Sequence, residues 1–263
     1  MTGIADSKKN LSSRLNYFFN SKCFGRKALN EMISKLGESG EVYVFGGVLR
    51  DIALKGVGRF DSDIDLVIDS SETPLIDIIQ KYCPERNKFG GYRFIHDRWR
   101  VDIWNVKDTW AFRNGLVEYK GVESLLSTTI SNWDRILYRW SDRRLIVPDE
   151  YFRDLADGFL DVILTSNPNK IGLYAKLLKC YFEKNARILS PLASVLLLSA
   201  VEELTYEQIK SYELSAYGRS YVNEVAFENL KKNLLSRRSD GDLLPMELND
   251  IAELSQRRLF VDR

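Results

Sequence analysis

The hydrophobic positions of this chain change period several times in the first 110 residues, and each change marks an element. From residue 8 to 37 they recur at helical spacing, through Leu11, Leu15, Phe18 and Phe19 and then Ala28, Met32 and Leu36, which predicts helices packed on a sheet. Val42-Tyr43-Val44-Phe45 is a β-branched and aromatic run, the composition of a buried strand, and it ends at Gly46-Gly47. Val48, Leu49, Ile52 and Ala53 return to helical spacing. Ile64, Leu66 and Ile68 then alternate with Asp63 and Asp65, so the next strand carries two acids on one face and apolar side chains on the other. Residues 91–96 and 99–104 flank Asp97-Arg98 and predict a hairpin, with Val101 and Ile103 on one side and Asp102 on the other.

Beyond residue 165 the pattern is helical only. The turn-rich run Thr165-Ser166-Asn167-Pro168-Asn169 predicts a boundary between a domain of residues 1–165 and one of residues 166–263. Helices are expected near 170–186, 190–204, 205–213, 219–235 and 245–258, with Ser190 capping Pro191 and with Asp240-Gly241 and Pro245 as a stop and a start. Tyr174, Tyr181 and Phe182 read as core residues of this part. The expected class is α+β: a mixed sheet with packed helices, followed by a small all-helical domain.

The chemistry lies where the periods change. Side chains are absent at Gly46-Gly47, so backbone amides there can approach an anion, and the helix that follows presents its orphan N–H groups to the same point. Two carboxylates on one strand face repel each other by about 4 kcal/mol at ~4 Å and an effective dielectric near 20, so such a pair is normally held by a cation. Hard oxygen ligands select Mg²⁺. Asp102, on the hairpin, is the candidate third ligand of a two-metal site. Asp61 lies two positions ahead of the apolar strand and reads as a loop residue.

The run Gly46-Gly47-Val48-Leu49-Arg50-Asp51, followed by Asp63-Ile64-Asp65-Leu66-Val67, resembles the head domain of the bacterial poly(A) polymerase and CCA-adding tRNA nucleotidyltransferase family, within the polymerase β-type nucleotidyltransferase superfamily. The resemblance implies that Gly46 and Gly47 hold a nucleoside triphosphate, ATP or CTP, and that Asp63, Asp65 and Asp102 bind two Mg²⁺ ions. It implies nucleotide-binding roles for Arg50 and Asp51 as well. The implied reaction transfers NMP to an acceptor hydroxyl, an RNA 3′ end of tRNA type, with release of pyrophosphate. Transfer to a protein or small molecule, or an inactive nucleotide-binding module, are the alternatives.

A fainter likeness extends through Leu145–Asp149 and Phe152–Gly158, so it covers roughly half the chain. The family's Arg-Arg-Asp motif is replaced here by Ser127-Thr128-Thr129-Ile130-Ser131-Asn132-Trp133-Asp134, and its later Glu-Asp-x-x-Arg helix has no counterpart. Strict CCA addition is therefore not expected.

Composition adds limits. A chain of 263 residues with 44% hydrophobic content buries a substantial core, and a net charge of +1 lacks the basic excess of a dedicated nucleic-acid binder. Two local clusters remain: Arg86, Lys88, Arg93, Arg98 and Arg100 among Phe89, Tyr92, Phe94 and Trp99, and Arg135, Arg139, Arg143 and Arg144 among Trp133, Tyr138 and Trp140. The first could meet phosphates and stack on bases, and the alternative reading, a solvated hairpin face, is the one expected. The second could partly substitute for the missing arginine pair. Cys23, Cys83 and Cys180 are too far apart for a zinc or disulfide motif and are expected to be buried free thiols. His96, the only histidine, is not expected to be catalytic. The longest apolar run, Leu192–Val201, is too short to span a bilayer, and no signal-peptide pattern is present, so a cytoplasmic protein is expected.

Overall fold

The structure is a computed structural model that describes residues 3–21, 23, 25–58, 62–70 and 74–239. Asp61 and the helix expected over 245–258, with its markers Asp240-Gly241 and Pro245, lie outside the described residues. The chain forms two compact units, one built from residues 1–129 and 133–156, the other from 130–132 and 157–263.

In the first unit, α1 (Lys8–Asn20) and α2 (Arg26–Leu36) precede β1 (Glu41–Phe45) and α3 (Gly47–Lys55). Then come β2 (Ile64–Asp69), the short α4 (Leu75–Ile79), β3 (Glu85–Arg86), β4 (Tyr92–His96), β5 (Trp99–Asn105) and the single-turn α5 (Trp110–Arg113). β6 (Leu137–Arg139), β7 (Leu145–Ile146) and α6 (Tyr151–Asp157) complete it. The helical pattern of residues 8–37 is divided because Gly25, at φ +81°, caps α2 in a left-handed conformation that no α-helix continues through.

Seven strands form one mixed sheet in the order β3-β4-β5-β2-β1-β6-β7. β2 and β5 are parallel, and the other neighbours are antiparallel. Alternation sorts the residues as expected: Val42, Val44, Ile64, Leu66, Ile68, Val101 and Ile103 are fully buried, and α3 packs on β1 and β2. On the opposite face, Tyr43, Phe45 and Val67 join Val106, Leu125, Leu126 and Leu137 in a second core cluster. Asp65 and Asp102 belong to this second face by register, two residues from Val67 and Trp104. The face is thus apolar along most of its length and acidic at one end.

Two features hold α3 in place at its far end. Arg14 of α1, only 3% exposed, donates to the carbonyls of Ile52 and Ala53 at 3.3 and 3.2 Å, and to Gly3 at 2.8 Å. Arg26 donates to the Val57 carbonyl at 2.8 Å. These cations satisfy carbonyls at and beyond the last turn of α3, where the helix dipole is negative.

The second unit pairs β8 (Phe159–Leu160) with β9 (Ile188–Leu189) in parallel and is otherwise helical: α7 (Lys170–Phe182), α8 (Pro191–Glu203), α9 (Tyr206–Tyr217) and α10 (Glu224–Ser239). Ser190 caps α8 by accepting from the Ala193 amide, with Pro191 in the first turn, as the sequence predicts. α9 runs past its expected end at residue 213 because nothing breaks it before Gly218, which takes φ +74°. Tyr174 and Tyr181 are buried in this unit, as expected of core residues.

One expectation needs correction. Cys23 and Cys83 are exposed, and only Cys180 of the three thiols is buried. Trp133, Tyr138 and Trp140 are core residues, at most 6% exposed. Among the arginines beside them, Arg139 pairs with Asp142, Arg135 with Glu150, and Arg143 stacks on Trp140 at 3.6 Å. No helix among the described residues is long and apolar enough to cross a membrane.

Candidate active site

The site starts where β1 stops. Gly46 takes φ +60° and ψ −112°, a combination that strains any residue with a Cβ, and its amide is used by the Ile136 carbonyl at 3.0 Å. Its own carbonyl accepts from the Arg50 amide, the first bond of α3. The amides of the following turn have no intrahelical acceptor and, among the described residues, no side chain caps them. Gly47 must lack a side chain for a different reason, since a Cβ there would lie 3.2 Å from Ser62 Oγ.

Beneath this turn lies a buried ionic network. Arg50, 4% exposed, donates from Nε to Asp51 Oδ1 at 2.9 Å, from Nη2 to Ser62 Oγ at 3.2 Å, and from Nη1 to Asp134 Oδ1 in a very short bond. Ser62 Oγ in turn donates to Asp51 Oδ2 at 2.5 Å. Asp51 is fully buried and Asp134 is 3% exposed. Tyr151, buried beside them, has its hydroxyl pushed well above the ordinary tyrosine range, chiefly by burial and then by the Asp134 carboxylate.

The acids stand next to the turn. Phe45, the last residue of β1, is in register with Asp65 of β2, and Asp65 is in register with Asp102 of β5. Asp63 precedes β2 on the same face. Asp102 is mostly buried, and both its oxygens accept from Arg93 of β4, at 3.0 Å from Nε to Oδ1 and 2.7 Å from Nη2 to Oδ2. Asn87 donates to Oδ1 at 3.4 Å. The same Arg93 Nη2 lies 3.8 Å from Asp63 Oδ2, and Arg100 Nη1 lies 3.7 Å from Asp63 Oδ1. Arg93 is held even more firmly protonated than usual, first by its hydrogen bonds to Asp102, against the cost of burial, and then by the charges of Asp102, Asp63 and Asp65.

The structure therefore brings Gly46, Gly47, Asp63, Asp65 and Asp102 to one end of the sheet. Arg50 and Asp51 sit below them, inside the protein. His96 lies away from the acids, 3.3 Å from the Ala28 carbonyl and edge-on to Tyr82. Three residues of the arrangement were not in the sequence-derived set. Ser62 and Asp134 carried no local signal. Arg93 did, because a two-residue turn at Asp97-Arg98 fixes the pairing and sets Arg93 opposite Asp102.

The donor set suits a hard divalent cation in kind: carboxylates on neighbouring strands beside amides suited to phosphate. An internal cation, the Arg93 guanidinium, already stands among them. Among the described residues no three acidic, histidine or cysteine side chains converge as a metal-binding group, and Arg93 engages Asp102 and Asp63.

No protein-family model and no protein of curated function matches the sequence. Solved structures do match in shape. Thermotoga maritima CCA-adding enzyme complexed with tRNA aligns with a TM-score of 0.58 and 18% identity, over 85% of this chain and 53% of that one. A CCA-adding enzyme with CTP aligns at 0.57 and 18%, over 90% and 56%, and a tRNA-processing enzyme with CTP at 0.51 and 18%, over 78% and 56%. The chain spans little more than half the length of these proteins. Over most of its own length it has the fold of the CCA-adding enzymes.

Proposed function

We propose that the protein is a metal-dependent nucleotidyltransferase that moves NMP from ATP or CTP to an acceptor hydroxyl at an RNA 3′ end and releases pyrophosphate. The observation that carries this reading is the register of Phe45, Asp65 and Asp102, which sets two carboxylates beside a glycine turn that opens a helix. Asp63, Asp65 and Asp102 would hold Mg²⁺, which when bound supplies charge neutralisation and lowers the pKa of the attacking hydroxyl. Gly46, Gly47 and the first amides of α3 bind the triphosphate and orient its α-phosphorus. Arg50 and Asp51 act through the turn, not on the nucleotide: their network fixes the start of α3 against Asp134 and Ser62. Positioning and electrostatics carry most of the rate in such transfers.

The test is to incubate the protein and its D63A/D65A variant with Mg²⁺, each α-labelled NTP and a mixture of RNA and protein acceptors. Label in RNA with wild type alone supports the reading and names the base. Label in protein or in a small molecule moves the acceptor to another class, and no label in any fraction points to an inactive nucleotide-binding module.

A further inference from the structure

Arg50 and Arg93 each engage two acids of this end of the sheet, and their surroundings differ. Arg50 is 5% exposed in its side chain and locked between Asp51 and Asp134, so it cannot leave without exposing buried carboxylates. Arg93 holds Asp102 with a bidentate pair and reaches toward Asp63, yet its side chain is 50% exposed. Its exposure leaves it room to turn into solvent. A bidentate guanidinium uses a lone pair on each carboxylate oxygen, on the edge that a divalent ion would chelate, and Asn87 takes a further position on Oδ1.

Resting on the proposed metal-dependent reading, we infer that Arg93 is a built-in counter-cation: it keeps the acidic face together in the nucleotide-free protein and competes with divalent metal for Asp102. Metal loading then requires Arg93 to swing off the carboxylate. The contact tunes the metal affinity of the resting enzyme downward, and Arg93 acts as a positioning residue.

The experiment is a Mn²⁺ titration of the nucleotide-free protein, with free Mn²⁺ read by electron paramagnetic resonance, for wild type, R93M, R93K and D102N. Carboxylate sites accept Mn²⁺ as they do Mg²⁺. Removing a half-exposed ion pair and its repulsion of a divalent ion should tighten Mn²⁺ binding about ten-fold in R93M. R93K keeps the charge and loses the two-pronged geometry, so it should fall between the two. D102N should weaken binding in either background. Melting curves in EDTA check that each variant is folded, and R93K carries the test if R93M is not. Equal Mn²⁺ affinity in wild type, R93M and R93K, with D102N still weaker, overturns the inference and leaves the metal reading standing. Absence of any Asp102-dependent Mn²⁺ binding in every variant removes the metal reading and the inference with it.

Discussion

Replacing Arg50 by Met separates a structural role from direct contact with nucleotide. The substitution keeps most of the side-chain volume and removes the guanidinium between Asp51 and Asp134, which are fully and almost fully buried. Stripping the partner from a buried charge pair costs about 3–5 kcal/mol, because the remaining charge is left uncompensated. Here both carboxylates lose that guanidinium. Against a typical stability of about 5–15 kcal/mol, that is a large share. For a unit of this size the melting midpoint should drop by roughly 10 °C.

The assay is thermal unfolding by circular dichroism in EDTA without nucleotide, comparing R50M with D134N. The asparagine keeps an oxygen for Arg50 to donate to and leaves a neutral Arg50–Asp51 pair, so D134N should cost only about 1 kcal/mol. An arginine whose work is to touch phosphate would leave the nucleotide-free protein unchanged when lost. If R50M melts within a degree or two of wild type, or no lower than D134N, the buried-network account is wrong.

Other perturbations give further outcomes. G46A adds a Cβ in ordinary van der Waals contact with Asp134 but forces it into φ +60°, so it should cost about 1–3 kcal/mol of stability, read from urea unfolding. G47A should instead push on Ser62 and weaken NTP binding about ten-fold by calorimetry, as expected where a phosphate-binding turn loses its close approach; unchanged affinity would remove the turn from the site. R14M removes three hydrogen bonds to the carbonyls of Gly3, Ile52 and Ala53, of which the latter two keep backbone donors, and should cost about 1–3 kcal/mol without altering NTP affinity at saturating folded fraction. Burial raises the Tyr151 and Tyr217 hydroxyls above their ordinary value of 10.0, so their contribution to stability is complete below that pH and is lost as pH rises past it. The melting midpoint should fall above about pH 10, and Y217F should flatten that fall.

What could be read from the sequence was whatever repeats at short range. The alternation around Ile64, Leu66 and Ile68 placed Asp63 and Asp65 on one face, and the two-residue turn at Asp97-Arg98 placed Asp102 opposite Val101 and Ile103. Parallel pairing of β2 with β5 has no local signature, because strand order is decided by how the crossover through α4, β3 and β4 packs. The Asp134 contact was invisible for the same reason: 84 residues separate it from Arg50, and nothing in the run around Trp133 shows that it returns beneath the glycine turn. Composition alone did not show that Trp133, Tyr138 and Trp140 fill the core, because it cannot distinguish an aromatic that stacks on a ligand from one that is buried. Arg93 was legible in its pairing, and what hid its role was that it also fitted a solvated hairpin face.

The charges at this end of the sheet account for how the site stays assembled. Asp51, Asp63, Asp65, Asp102 and Asp134 face Arg50, Arg93 and Arg100, so carboxylates outnumber guanidiniums. The buried subset is fixed by Arg50 at all times. On the proposed metal-dependent reading, Asp63, Asp65 and Asp102 would alternate between Arg93 and metal, which a displaceable cation allows, since a permanent partner of the Arg50 kind would exclude metal and no partner at all would leave like charges side by side. Two divalent ions add about as much positive charge as a triphosphate adds negative charge, so metal arriving with nucleotide leaves the local balance nearly unchanged, whereas metal alone must compete with Arg93. The arrangement therefore favours loading of metal and nucleotide together over storage of metal in the idle protein. Mn²⁺ affinity should accordingly rise on adding a non-hydrolysable NTP, and the rise should be smaller in R93M, where the competitor is already gone.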